Sequence, residues 1–186
     1  MRYRTIYADP PWSEFGGGQI KRGADRHYPL MPTKDICGLI VPTTDEWGNR
    51  IELAVRNLAE SEAHLYLWAT NNKLLDALEV VKAWGFEYKT LITWAKDRFG
   101  LGQYYRGQTE HCIFATRGVL PYRTREDGKR AQGRTLIDGF DAPREEHSVK
   151  PEVMRQWIES VSHPPYLELF ARRRAEGWDS WGNELE

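Results

Sequence analysis

Cysteine is scarce: Cys37 and Cys112 are the only two in 186 residues. They lie far apart and match no metal-ligand spacing, so no metal is expected and a reduced, intracellular protein is the default. Long apolar runs are missing too. No stretch approaches the roughly 20 residues needed to span a bilayer, which argues against a membrane partner. The N-terminus is charged and leads straight into a strand-like run, unlike a signal peptide. Charge excess of either sign is also absent: 26 Lys and Arg against 27 Asp and Glu give a formal net charge of -1. Any nucleic-acid surface must therefore come from local clustering. No internal repeat, linker or composition shift marks a second domain. Residues 1–186 are expected to form one domain, long enough to bury a full core.

Aromatics, by contrast, are plentiful, with eight Trp and nine Tyr. Such residues serve cores, and they also stack bases. The most informative stretch is Ala8-Asp9-Pro10-Pro11-Trp12, directly after a strand-like run at 2–8. Proline has no backbone N–H and restricts the residue before it. The peptide is therefore rigid, and its carbonyls are available as acceptors. Beside them stand one carboxylate and one large apolar face. Those parts suit a planar ligand bearing an amino group. They equally suit a proline-rich turn that caps a strand and buries Trp12 in the core.

The rest of the chain reads as alternating elements. A helix is expected over about 45–61, capped by Asp45, then a buried strand at 64–70 that stops at Asn71-Asn72. A helix at about 73–84, ended by Gly85, a strand at 86–96 and a strand at 110–118 follow. A helix over 151–162 begins at Pro151, with Ser148 as its candidate cap, and a last strand covers 166–172. This order predicts an α/β fold with a mainly parallel sheet and helices on both faces. Trp47, Trp68, Trp84 and Trp94 fall on helix or strand faces and read as core.

Two loops carry cations. One, at 13–35, holds GGG at 16–18, then Lys21, Arg22, Arg26, His27 and Tyr28. The other, within 119–147, shows no apolar period. Arg123, Arg125, Lys129, Arg130 and Arg134 against Glu126 and Asp127 give five minus two, or +3, within 123–134. Such a run is either a solvated loop or a surface for phosphates. A further loop at 97–109 contains Tyr104-Tyr105-Arg106-Gly107.

ADPPW, then EHCIFATRG at 110–118, HSVKPEV at 147–153, YLELFARR at 166–173 and GWDSWGNE at 177–184 occur in that order. This set resembles the DPPW-motif family of S-adenosylmethionine-dependent adenine methyltransferases. That family includes the eukaryotic mRNA adenine methyltransferases and many bacterial and phage members. The resemblance runs from Tyr7 to Glu184. It implies a Rossmann-like methyltransferase fold in permuted order, catalytic motif first and cofactor strand last. It also implies action on the N6 amino group of adenine in nucleic acid. DNA is favoured over RNA, with a non-catalytic nucleic-acid-binding subunit as the rival. The implied setting is the cytoplasm of a bacterial or phage-infected cell, with room for a homodimer.

The resemblance also implies roles. Asp9 and the Pro10 carbonyl accept the amino hydrogens, while Pro11 and Trp12 shape and stack the base. Asp9 also borders the cofactor, Lys150 faces its methionine carboxylate, and Glu168, Arg172 and Asn183 lie on its ribose side. Arg174 stands where mRNA-modifying relatives have His, and Glu184 where relatives have Gln. Those relatives also carry a cofactor-adenine segment ahead of the first strand, and with a strand expected from residue 2 no residues are assigned to the cofactor adenine from that side. Tyr28 and Asn71 are expected on the substrate side, with Arg123, Arg125 and Arg130 on nucleic-acid phosphates.

Overall fold

Apolar runs such as HLYLWA at 64–69 are what strands buried on both faces require. The computed structural model builds its sheet from such runs and describes residues 2–13, 29–100, 104–139, 142, 150–183 and 185. In chain order the elements are β1 (Tyr3–Ala8), α1 (Thr33–Cys37), β2 (Ile40–Thr44), β3 (Arg50–Ala54) and α2 (Val55–Leu58). There follow β4 (Ala59–Thr70), α3 (Leu74–Ala83), β5 (Glu87–Ala95), β6 (Thr109–Arg117), β7 (Leu136–Asp138), α4 (Glu152–Val161), β8 (Tyr166–Leu169) and β9 (Trp178–Trp181).

Seven strands form one sheet in the order β7-β5-β6-β4-β1-β8-β9. β6 runs antiparallel to both neighbours, and the other pairs are parallel. The first strand of the chain is thus near the sheet centre: Ala8 pairs with Leu67 on one side and Leu169 on the other. A mixed α/β fold with a seven-stranded, mainly parallel sheet is consistent with a methyltransferase fold.

Side-chain alternation sorts the two faces. Ile6, Leu65, Leu67, Ile113 and Leu169 pack with Ile36 of α1 and Val80, Val81 and Trp84 of the α3 segment. Burying each such aliphatic side chain stabilises the fold by about 1.5–3 kcal/mol. Tyr7, Tyr66, Trp68, Cys112 and Tyr166 form the other face, under Met154 and Ile158 of α4. The aromatic face stays dry because its polar tips are partnered: Trp68 Nε1–H donates to Tyr7 Oη at 2.7 Å, and Tyr66 Oη lies 2.8 Å from Ser162 Oγ.

Several expectations need correction. Residues 45–61 are no helix: β2 and β3 form a hairpin, α2 is a single turn, and β4 begins at Ala59. Asp45 Oδ1 accepts the N–H groups of Trp47 (3.0 Å) and Asn49 (2.8 Å), so it closes the hairpin turn. Gly48 there has φ 84, which suits glycine. A short polar side chain that prefers helix caps also prefers turns, and the apolar spacing downstream did not separate the two. Trp47, at the tip of that hairpin, is 77% exposed and not core; Trp68, Trp84 and Trp94 are buried. α1, β7 and β9 are too short, or too polar on one face, to show a period. The α3 end is as expected, with Gly85 at φ 80 and its N–H on Lys82 O. Ser148 lies outside the described residues. Among the described residues no helix is long and apolar enough to cross a membrane.

Candidate active site

The carboxyl ends of β1, β4 and β8 come out at one edge of the sheet, where ligands of open α/β sheets sit. The antiparallel β6 delivers its first residues to the same edge: Thr109 pairs with Ala95 and Glu110 with Thr70. Asp9 leaves β1 there.

The DPPW turn is locked by its own backbone. Trp12 N–H donates to Pro10 O (2.9 Å), Met31 N–H to Pro11 O (2.7 Å) and Ser13 N–H to Met31 O (3.2 Å). The Pro10 carbonyl has a second lone pair beyond the one that Trp12 engages. Trp12 itself is 6% exposed, and its indole N–H donates to Trp68 O at 2.9 Å. The indole pins the turn into the core, as the structural reading of Trp12 expects, and the turn presents Asp9 at the sheet edge.

Four charged side chains then form a chain. Lys150 Nζ donates to Asp9 Oδ2 at 2.8 Å and lies 3.4 Å from Glu110 Oε2, while Lys96 binds Glu110 Oε1. The Lys150 ammonium also sits 5.5 Å from the Trp68 ring centre. Burial alone would raise the Glu110 carboxyl, but the ammonium groups of Lys150 and Lys96 outweigh it and hold Glu110 below the usual carboxylate range. Lys150, expected on a cofactor carboxylate, makes ion pairs with Asp9 and Glu110.

On the β8 side, Arg155 of α4 reaches Glu168 Oε2 (2.7 Å) and Glu152 Oε1 (2.8 Å). Burial raises the Glu168 carboxyl, against the pull of Arg155 and with the help of the Asp9 and Glu152 charges. Phe170 follows with φ 61, the left-handed region that non-glycine residues seldom adopt. A cavity of about 230 Å³ is lined by Asp9, Lys150, Arg155, Glu168, Phe170 and Arg172. A wider cavity of about 420 Å³ continues from Lys150 and Arg155 to Arg173 and Arg174. At the end of β9, a Cβ on Gly182 would lie 2.1 Å from Ala171 O, so only glycine brings this strand against β8. Asn183 is thereby carried to the end of β9, beside the stretch that holds Arg172. Glu184 lies outside the described residues.

On the β4 side, Asn71 Oδ1 accepts from His111 Nε2 (2.8 Å), and His111 Nδ1 lies 3.0 Å from Thr93 Oγ1. Nε2–H faces an amide oxygen, and Nδ1 faces a hydroxyl that can donate to a neutral ring. Burial agrees, pushing His111 below its ordinary value despite the nearby Glu110 charge. Tyr28 lies outside the described residues.

Arg123, Arg125 and Arg130 are not brought to this edge. β6 carries the chain away to Arg117, opposite Ala63, and the next residues are fastened there. Leu120 O lies 3.0 Å from His64 Nε2, and Arg123 N–H donates to Val161 O at 2.9 Å. From Thr70 back to Ala63 is about 23 Å of strand. Each arginine also has local contacts: Arg123 with Glu159 O (2.7 Å), Arg125 with Asp127 (3.9 Å) and Arg130 over the Tyr122 ring (5.7 Å).

Glu110, Arg155 and Phe170 were not expected in the site. Glu110 begins the EHC stretch and could have been suspected from it. Arg155 reads as an ordinary helix-surface cation, and a backbone angle such as that of Phe170 leaves no mark in a sequence.

The MT-A70 family model matches residues 3–184. The chain belongs to the MT-A70 family. It is similar to the type II methyltransferase M.MunI of Mycoplasma sp, with 27% identity over 203 residues, 99% of this chain and 78% of that protein. It is also similar to the N6-methyladenosine RNA methyltransferase MTA1 of Cryphonectria parasitica, with 28% identity over 196 residues. That match covers 98% of this chain and 52% of the fungal protein, so the chain spans about half of that relative's length. MT-A70 proteins are S-adenosylmethionine-dependent N6-adenine methyltransferases, and this chain is one. The cavity fits such a cofactor. It offers cations, carboxylates and an aromatic ring, and two buried polar atoms beside Glu168, Arg155 Nε and Ser180 Oγ, have no hydrogen-bond partner among the described residues.

Proposed function

We propose that this MT-A70 enzyme methylates the N6 amino group of adenine in DNA, with Asp9 and the Pro10 carbonyl as its amino-group clamp. The observation that carries the reading is the position of Asp9: it leaves the central strand on a locked turn and faces the cavity next to Lys150. The exocyclic nitrogen of adenine is a poor nucleophile because its lone pair is delocalised into the ring. Two acceptors on its hydrogens favour a pyramidal nitrogen and direct the lone pair outward. Their contribution is positioning plus electrostatics. When bound, S-adenosylmethionine supplies a methyl group on a sulfonium centre. The nitrogen–carbon bond would form as the methyl–sulfur bond breaks, leaving a neutral thioether, and the surplus proton on the nitrogen would pass by way of Asp9 to water.

Lys150 has the charge to hold the cofactor carboxylate, and Glu168 and Arg172 line the same cavity, where they suit its ribose. Arg174 lines the wider cavity, and Asn183 and Glu184 close that side by family resemblance. Pro11, Trp12, Tyr28 and Asn71 belong to the base side in the same way. The permuted order then has a simple form: the first strand presents the clamp and the last two strands present the cofactor groups. The match to the type II methyltransferase of Mycoplasma covers 78% of that protein, against 52% of the fungal RNA methyltransferase, and this supports a bacterial enzyme and DNA over RNA.

Nucleoside mass spectrometry of DNA and RNA from cells expressing the wild type or Asp9→Ala tests this. The expected result is N6-methyladenine in DNA from wild-type cells only. Enrichment confined to RNA would move the substrate to RNA, and enrichment in neither would remove the reading.

A further inference from the structure

The loop between β5 and β6 belongs to the catalytic edge. Its root is stitched like a continuing hairpin: Lys96 N–H donates to Gln108 O (2.7 Å), and Gln108 Nε2–H to Lys96 O (2.9 Å). One step further out, Gly100 N–H donates to Gly107 O (2.6 Å), and Arg106 Nε–H to Gly100 O (3.1 Å). The Arg106 guanidinium lies 5.6 Å from the Phe99 ring centre. Beyond this stalk Tyr104 is 93% exposed and Tyr105 is 92% exposed, next to a 60% exposed Phe99. Isolated exposed hydrophobics are common, but three aromatic rings on one short loop are not.

The loop is also cationic. Lys96, Arg98 and Arg106 against Asp97 give three minus one, or +2, within 96–108. Arg98 pairs with Asp97 at 3.3 Å, yet its side chain is 83% exposed. The loop stands close to the chemistry, since Lys96 binds Glu110, which neighbours Lys150, which holds Asp9. Exposed rings among cations match the two parts of a nucleic acid: base faces for stacking and phosphates for charge. A protein partner of ordinary composition has no such need for both.

An adenine inside a duplex cannot reach Asp9 without leaving the stack, and its departure leaves a gap. Side chains inserted beside such a gap stabilise the unstacked state. We infer that Tyr104 and Tyr105 form a wedge that fills or flanks the position vacated by the target adenine, with Arg98 and Arg106 on the adjoining phosphates. This rests on the reading of the substrate as adenine in DNA.

The test measures kcat/KM for the wild type, Tyr104→Ala/Tyr105→Ala and Tyr104→Phe/Tyr105→Phe. Three DNA substrates of one sequence are used: a duplex, its single strand, and a duplex with an abasic site opposite the target adenine. The alanine pair should lose about tenfold or more on the duplex, since base–aromatic stacking has roughly that weight. It should come within about twofold of wild type on the other two, where extrusion is easy. The phenylalanine pair should behave as wild type. Equal loss on all three substrates, or no loss on any, would overturn the wedge. So would a wild type active only on the single strand. Loss accompanied by a change of oligomeric state in light scattering would assign the rings to a second copy instead. If the wild type methylates none of the three, the substrate reading itself fails and takes the wedge with it; if the wild type is active and the variants are indifferent, only the wedge fails.

Discussion

The two ends of the sheet use similar residues in opposite ways. At the catalytic end, Asp9, Lys150, Glu110 and Lys96 bind one another. At the far end, Arg117 and His64 bind backbone. Arg117 donates to Gly85 O (3.0 Å), Arg56 O (2.8 Å) and Trp84 O, and stacks at 4.8 Å on Phe86. It thereby caps the carbonyls at the end of α3. His64, 1% exposed, lies between Ser162 Oγ (2.8 Å) and Leu120 O (3.0 Å). A cation on backbone carbonyls has a permanent partner. A cation on a carboxylate can exchange that partner for an incoming anion. The chemistry therefore belongs to the end whose charges are exchangeable, and the far end supplies rigidity.

The largest expected break of this contrast is Asp9→Ala. It should lower kcat by about a thousandfold, the scale of losing a placed transition-state contact, with an unchanged thermal midpoint. Radiolabelled methyl transfer and a melting curve check it. Lys150→Ala should weaken S-adenosylmethionine binding by about tenfold to a hundredfold in calorimetry, as expected when a charged hydrogen bond is lost. An unaltered Kd would confine Lys150 to holding Asp9.

At the far end the expected effect changes kind. Arg117→Ala should cost about 2 kcal/mol of stability in urea unfolding while leaving kcat/KM of the folded enzyme intact. His64 should give a pH dependence. Burial holds its pKa below the ordinary value, against the pull of Leu120 O and with the aid of the His163 and Arg4 charges. Below the ordinary histidine range the unfolded chain takes up a proton that the folded chain refuses. Stability should thus be full above that range and fall as pH drops through it. Glu110, held low in the fold, adds a second decline as pH drops through the carboxylate range. Urea midpoints from pH 8 down to 3 should show the first decline flattened in His64→Gln and the second kept. The smallest effect is expected from Arg123, Arg125 and Arg130 replaced together by Gln. Methylation should change by less than about twofold, because exposed charges far from the site carry little. A tenfold loss would bring a remote part of the nucleic acid to this end and blur the contrast.

Much of this protein was legible in its residues. Period and punctuation located β1, β4, β5, β6, α3, α4 and β8, because long segments buried on one or both faces carry their environment in their pattern. The DPPW turn announced itself through proline chemistry and motif order. The hairpin at 40–54 did not, since Asp45 serves turns and helix caps alike. Nor did the place of the +3 loop: net charge is a local count, whereas its end of the sheet depends on which way β6 runs. Strand direction is decided by pairing between segments far apart in the chain. Residue order alone determined the long elements and the chemistry they carry. Only the tertiary structure decided which charges meet. Asp9 and Lys150 are 141 residues apart, yet parallel pairing of β1 with β4 and β8 sets their groups 2.8 Å from each other.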